Sequence, residues 1–192
     1  RLADEDLLTL VQRSDAEAFE IIYDRHSRVA YSLAYRMLGD QSAAEDLVQE
    51  AMLAIWRNAA SYSTGRGSVR TWILSIVHNR GIDQLRRNGA AARRQEALEH
   101  VEERRPQEDD TADRGIRRVM TRTVQGEMDE LPPDQSEVLK LAYYAGFTQQ
   151  EISEMLDLPL GTVKSRMRLG LICLRLGIGS IDEVFACVAT LW

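Results

Sequence analysis

The chain has 192 residues, of which 44% are hydrophobic and 28% charged, and it carries a formal net charge of −6. That length suits one ordinary domain or two small ones. No apolar run is long enough to span a bilayer and no signal-peptide pattern is present, so a cytoplasmic protein without membrane insertion is expected. Arg1 in place of Met points to a trimmed start, and two cysteines, Cys173 and Cys187, are too few for a disulfide framework and fit a reducing compartment.

Apolar residues recur at helical spacing and show no strand-like alternation, so the fold class is all-α. Residues 4–13 read as a short helix with Leu7, Leu8 and Val11 inward. Ser14-Asp15 opens a long helix whose inward residues include Phe19, Ile22, Tyr23, Val29, Leu33 and Met37, and Gly39 closes it. Ser42, with Glu45 three residues later, is a capping box for a helix over about 43–58. Leu47, Val48, Met52, Ile55 and Trp56 form its apolar face, while Glu45, Asp46, Gln49 and Glu50 leave its first turns polar and acidic. Acid at that end complements the helix dipole, and it also offers a docking edge.

A loop with two glycines, 61–68, ends at Ser68 as N-cap of a helix of about five turns. Its first half is apolar nearly all round. In its second half Leu74, Val77, Gly81 and Leu85 continue one stripe, and Asn79, Arg80, Asp83, Arg86 and Arg87 gather opposite it. Tyr62 stands in the preceding loop and Trp72 in the first turn, with a place in the core the ordinary reading of the tryptophan. Arginines beside aromatics suit single-stranded nucleic acid, where phosphates meet guanidinium groups and unpaired bases stack. Solvated arginines on a surface helix are the alternative.

From Asn88 to about Arg114 periodicity fails, as expected of a flexible linker. A second helical unit starts near Ile116. Pro133 suits the first turn of a helix over 133–145 that buries Val138, Leu139 and Ala142, and Gly146 ends it. Thr148 and Glu151 form a capping box for a short helix, and a tight connection over 157–161 leads to Thr162 and a final helix. This is a helix-turn-helix pattern. In its last helix Val163, Met167, Gly170 and Leu174 face inward, and Lys164, Ser165 and Arg168 fall together on the outside near the start, where a recognition helix carries its readers.

Charge is distributed unevenly. Residues 61–94 hold seven arginines against one aspartate, and 161–192 hold four basic groups against two acidic ones, while the remaining segments are acidic. Phosphate affinity follows the local field rather than the total, so two basic islands in an acidic chain are compatible with nucleic acid.

In order, D-L-V-Q-E-A-M-L-A-I-W (46–56), T-W-I-L-S-I-V-H-N-R-G-I-D-Q-L-R-R (71–87), L-P-P-D-Q-S-E-V-L-K-L-A-Y-Y-A-G-F-T-Q-Q-E-I-S (131–153) and G-T-V-K-S-R-M-R (161–168) resemble the extracytoplasmic-function sigma factors, the small two-domain group of bacterial sigma-70-type initiation factors. The resemblance implies region 2 over 1–92, a flexible linker over 93–115, region 4 over 116–177 and an atypical tail over 178–192. It implies core RNA polymerase as partner, with Asp46, Gln49 and Glu50 toward the β′ clamp helices and region 4 on the β flap. It implies promoter DNA as ligand: Tyr62, Trp72, Asn79, Arg80, Arg86 and Arg87 at the minus-ten element, Thr162, Lys164, Ser165 and Arg168 at the minus-thirty-five element. Asp83, an acid on a basic face, is expected to orient an arginine. An anti-sigma protein is a further implied partner.

The chain departs from the family pattern after Arg168, where Leu169 and L-G-L-I-C-L-R-L-G-I-G replace the usual charged helix end. Ser180 and Glu183 then cap one more short amphipathic helix. Packing on region 4, binding a partner and an altered reading frame stay open as its origin. No catalytic constellation, metal-ligand spacing or phosphate-cradling glycine motif is present, so no cofactor, no metal and no enzymatic activity are expected. A polymerase-independent helix-turn-helix regulator is the alternative function, and a sigma-like scaffold that only sequesters a partner is another.

Overall fold

The computed structural model describes residues 2–64, 67–87, 89 and 128–178, with side chains up to residue 174. The linker, the region from Ile116 to residue 127, the tail with its Ser180–Glu183 box, and Cys187 lie outside the described residues. Within them every regular element is helical, as the all-α expectation requires. The chain divides into two compact units, one formed by residues up to Arg87 and the other lying between Asn88 and Val184.

The first unit holds α1 (Asp4–Val11), α2 (Ala16–Leu38), α3 (Gln41–Asn58), a single 3-10 turn (Ala59–Ser61) and α4 (Val69–Arg87). Asp15 caps α2 by accepting from the Ala18 amide at 3.0 Å, and Gly39 ends it at φ 72°. Leu7, Leu8 and Val11 are buried as expected. Tyr23, expected inward, is 38% exposed. The buried stripe of early α2 runs Ala18–Ile22–His26, and Tyr23 lies a full 100° step to its side. The cap of α3 also differs. Asp40, extended at φ −121°, accepts from the Ala43 amide at 2.8 Å, so the helix begins at Gln41 rather than after Ser42. A carboxylate makes the stronger cap there, and Glu45 instead accepts from the Gln41 side chain at 2.9 Å.

Helices α2, α3 and α4 pack against one another in all three pairings, and α1 closes over α2. Ile22, Met37, Leu47, Ile55 and Ile73 are fully buried among them, each contributing about 1.5–3 kcal/mol of transfer free energy. Phe19 meets Trp56 edge to face at 5.2 Å. Gly81 faces α2 so closely that an added Cβ would lie 2.7 Å from Met37 Cε and 2.8 Å from its sulfur.

α1 is pinned through a half-buried polar contact that periodicity does not reveal. Asp4 pairs with Arg25 and, at 2.8 Å, with His26 Nε2 on α2. Burial alone would raise the Asp4 carboxyl, but the Arg25 hydrogen bond and the two cations hold it below its ordinary 3.8. Burial lowers the His26 imidazole from 6.5, against the pull of Asp4 and with help from Arg70 and Arg25.

The second unit holds α5 (Pro133–Tyr143), α6 (Gln149–Met155) and α7 (Leu160–Ile178). α5 ends at Tyr143, two residues before the expected 145, because the chain turns through Tyr144 and Ala145 to reach Gly146 at φ 69°. Thr148 and Glu151 form the expected reciprocal capping box, at 3.2 and 2.7 Å. α6 ends in a Schellman-type turn in which the Leu158 amide reaches the Ser153 carbonyl at 3.0 Å and Asp157 takes φ 52°. Aspartate tolerates that left-handed geometry better than most residues. α7 starts at Leu160, two residues before the expected Thr162, because the Thr162 and Val163 amides bond back to Pro159. Val163, Met167, Gly170 and Leu174 are all buried, against α5 and α6.

Gly81→Leu should destabilise the first unit by about 1–3 kcal/mol through overpacking. Gly81→Ala should stay within about 1 kcal/mol of wild type, since better helix propensity opposes displacement of the Met37 thioether. Urea unfolding followed by tryptophan fluorescence measures both.

Burial of His26, opposed by its contact with Asp4, sets a pH dependence. A folded imidazole held below 6.5 resists a proton that the unfolded chain accepts, so stability present above 6.5 falls as pH drops through that value; the depressed Asp4 carboxyl removes more below 3.8. Amide protection in α1 should fall relative to α3 between pH 7 and pH 5 in hydrogen exchange corrected for intrinsic rates, and Asp4→Asn should lower it already at pH 7.

Candidate nucleic-acid interface

In the first unit the candidate face is the outer side of α4 with the loop before it. Ser68 accepts from the Thr71 amide at 3.2 Å and its carbonyl takes the Trp72 amide at 3.0 Å, so the helix starts where its cap predicts. Val69, Ile73, Leu74, Val77, Ile82 and Leu85 are buried, and this phase leaves Asn79, Asp83, Arg86 and Arg87 exposed along one side. Arg87 Nε donates to the Asp83 main-chain oxygen at 3.2 Å, a contact that does not involve the Asp83 carboxylate. His78, fully buried on the packing side of the same helix, escaped the sequence reading. Its place four residues after Leu74 on the apolar stripe was the available signal.

Tyr62 and Trp72 are both half-buried and lie against each other, with ring centroids 5.6 Å apart at a tilt of 59°. The Tyr62 hydroxyl donates to the Gly67 carbonyl at 3.0 Å, tying the two ends of the loop together. Burial, assisted by Glu5, raises the Tyr62 phenol above its ordinary 10.0, so it remains a donor at neutral pH. The two rings together form a paired aromatic surface.

Asp46, Gln49 and Glu50 are exposed on α3. The two sets of candidate residues meet at one point: Arg80 Nη1 on α4 lies 3.4 Å from Glu50 Oε2 on α3. Beside this pair opens a groove of about 260 Å³ lined by Glu50, Leu53, Ala54, Arg57, Asn58 and Arg80. Leu53 on its rim is 51% exposed. The ion pair was not legible in the sequence because thirty residues separate its partners.

In the second unit Lys164, Ser165 and Arg168 are exposed together on α7, on the side opposite its packing stripe. Thr162 is half-buried at the third helical position, its amide bonded to Pro159 at 2.8 Å, and so is not the cap of the helix. Leu169 and Ile172 are exposed, and Cys173 is an exposed free thiol. Among the described residues no cluster of three or more His, Cys, Asp or Glu could hold a metal ion, and no helix is long and apolar enough to cross a membrane.

The family model for sigma-70 region 2 matches residues 22–91, and that for sigma-70 region 4 matches residues 128–176. An ECF RNA polymerase sigma factor SigK of Mycolicibacterium vanbaalenii is 37% identical over 173 residues, covering 90% of this chain and 88% of the relative. The chain belongs to the extracytoplasmic-function sigma factors. The SigK of Mycobacterium tuberculosis strain H37Ra is 36% identical, over 88% of this sigma factor and 90% of its own length. Two solved structures are also similar. CnrH in complex with the cytosolic domain of CnrY has a TM-score of 0.42 and 22% identity, covering 93% of this chain and 98% of that one. The sigma factor RpoE in complex with the anti-sigma factor NepR from Bartonella quintana has a TM-score of 0.40 and 20% identity, covering 83% and 96%. Region 2 of this sigma factor thus carries the α3 edge and the α4 face, and region 4 carries the α7 face.

Glu50 and Arg80 should prove energetically coupled. In a double-mutant cycle with Glu50→Gln and Arg80→Gln, the coupling in unfolding free energy should be no more than about 1 kcal/mol, the range of exposed pairs. Urea unfolding at low and high salt checks it, with the coupling shrinking at high salt.

Proposed function

We propose that this sigma factor joins core RNA polymerase and directs it to promoters, with residues 1–92 as the polymerase-docking and minus-ten domain and 116–177 as the minus-thirty-five domain, tethered by 93–115. The observation that carries the residue roles is the pair of exposed cationic helix faces, one in each unit, set opposite apolar packing stripes. Asp46, Gln49 and Glu50 present an acidic edge to the β′ clamp helices, and region 4 sits on the β flap. Asn79 stands where the strands part, Tyr62 and Trp72 offer an aromatic surface to an unpaired base, and Arg80, Arg86 and Arg87 hold backbone or base edges. Stacking and phosphate contacts offset the few kcal/mol that unstacking a base costs.

At the minus-thirty-five duplex Lys164, Ser165 and Arg168 make base and phosphate contacts from the first turns of α7, with Thr162 beside them. The protein performs no chemistry of its own; it supplies an address and captures melted DNA. The polymerase holds both readers on one promoter, so that binding of one raises the effective concentration of the other. An anti-sigma protein belongs to the same proposal on the strength of family membership, as does work in the cytoplasm, where the polymerase is. A helix-turn-helix regulator acting alone would use α6 and α7 and leave the α3 edge and the α4 face without a role.

Run-off transcription with core polymerase, on promoters selected by the reconstituted holoenzyme, tests the function; absence of a promoter-specific transcript would refute it. Lys164→Ala and Arg168→Ala should each weaken minus-thirty-five binding, and removing the cation opposite one phosphate should reduce the slope of log affinity against log salt by about 0.9. Assembly with core should be unchanged. Asn79→Ala and Tyr62→Ala should leave closed complexes intact and reduce permanganate reactivity of the melted bases.

A further inference from the structure

Arg166 sits inside the basic run K-S-R-M-R (164–168), yet it does not share the outward face of Lys164, Ser165 and Arg168. At 100° per residue it lies roughly 40° from Gly170 and 60° from Val163, at the border of the stripe buried against the body of region 4. Its guanidinium Nη2 lies 2.6 Å from Asp134 Oδ2 at the start of α5, and its side chain is only 26% exposed, against 66% for Asp134. One turn further along α7, Gly170 meets α5 again. A Cβ there would lie 2.6 Å from Leu139 Cδ1 and 3.3 Å from Gln135 Cβ. These two contacts lie one on either side of the turn that carries Arg168, beside the buried stripe of Val163, Met167 and Leu174.

The buried stripe holds α7 on α5, and the ion pair adds a directed polar tie near the α7 start. Gly170 sets how near the helices lie, and the Arg166–Asp134 pair sets the direction of the α7 start, the end that carries Lys164 and Ser165. The geometry points to Arg166 as a positioning residue for minus-thirty-five recognition, held by Asp134 and making no contact with DNA itself. This rests on the reading of α7 as the helix that meets the minus-thirty-five duplex.

The decisive variant is Asp134→Asn, because two accounts give it opposite signs. Were Arg166 a phosphate contact, removing a nearby negative charge would free it and tighten DNA binding. As a brace, Asp134→Asn loosens the α7 start and weakens binding, although the protein becomes less acidic. With holoenzyme and duplexes carrying an intact or scrambled minus-thirty-five element, discrimination between the two should fall roughly two- to fivefold in Asp134→Asn and in Arg166→Ala, the scale of a partly exposed ion pair. The swap Asp134→Arg with Arg166→Asp should recover part of it. Arg166→Ala should leave the salt slope as in wild type, in contrast with Arg168→Ala.

Unchanged or tighter binding in Asp134→Asn, no recovery in the swap, or a lower salt slope in Arg166→Ala would each overturn the proposal. Lys164→Ala and Arg168→Ala serve as the separate check on the underlying reading. If they bind as wild type does, the assignment of α7 to the minus-thirty-five element fails, and not the brace alone.

Discussion

Both units contain a close helix crossing at a glycine, where a neighbouring side chain occupies the space a Cβ would take. α4 lies on α2 at Gly81, with Met37 filling the space that a Cβ would take, and α7 lies on α5 at Gly170, under Leu139. A glycine inside a helix costs about 1 kcal/mol in propensity relative to alanine. Close approach returns this through dispersion contacts and through burial of the neighbouring apolar stripes. Each crossing presses the stripe side of its helix inward and turns the opposite side to solvent. On α4 that side bears Asn79, Arg86 and Arg87, and on α7 it bears Lys164, Ser165 and Arg168. In both cases the position of the cationic face follows from packing on the other side of the same helix.

Charge is arranged on top of this frame. An acidic chain with two basic islands produces fields of opposite sign on neighbouring surfaces, and within the first unit they meet where Glu50 on α3 faces Arg80 on α4. The pair is solvent-exposed and contributes little to stability. Its interest lies in placing a candidate polymerase contact beside a candidate DNA contact, with the Leu53 groove next to both. A partner that engages Glu50 therefore changes the surroundings of Arg80 directly. In the second unit the comparable pair, Arg166 with Asp134, is less exposed on its arginine side and joins two packed helices. There the ion pair acts on geometry more than on field.

Local chemistry wrote several features openly into the chain. Asp15, Ser68, Thr148 with Glu151, Gly39 and Gly146 sit at helix ends because side-chain oxygens satisfy free amides and glycine takes positive φ, and neither effect needs a distant partner. Where local rules compete, sequence reading erred. Asp40 and Ser42 both suit a cap, and the Asp40 carboxylate takes it by accepting from the Ala43 amide. Thr162 suits a cap as well, yet the tight turn at Pro159 had already begun the helix. Tyr23 shows the limit of periodicity, since the apolar stripe of a 23-residue helix drifts as its neighbours change from α1 to α3 and α4.

By itself, then, the sequence determined the helical class, most of the caps, the buried stripes of α4 and α7 and the cationic residues opposite them, because each depends on spacings of three and four residues within one helix. Four motifs in a fixed order sufficed for the family. Only the tertiary structure decided which charged groups have partners. The Asp4–His26, Glu50–Arg80 and Asp134–Arg166 contacts join residues from different helices, 22, 30 and 32 positions apart, and no rule of local spacing couples them. The same holds for Tyr62 against Trp72, where the loop had to close before the ring could lie on the helix it precedes. Periodicity tells which side of a helix is wet, while the folded packing tells what each wet or half-buried charge faces.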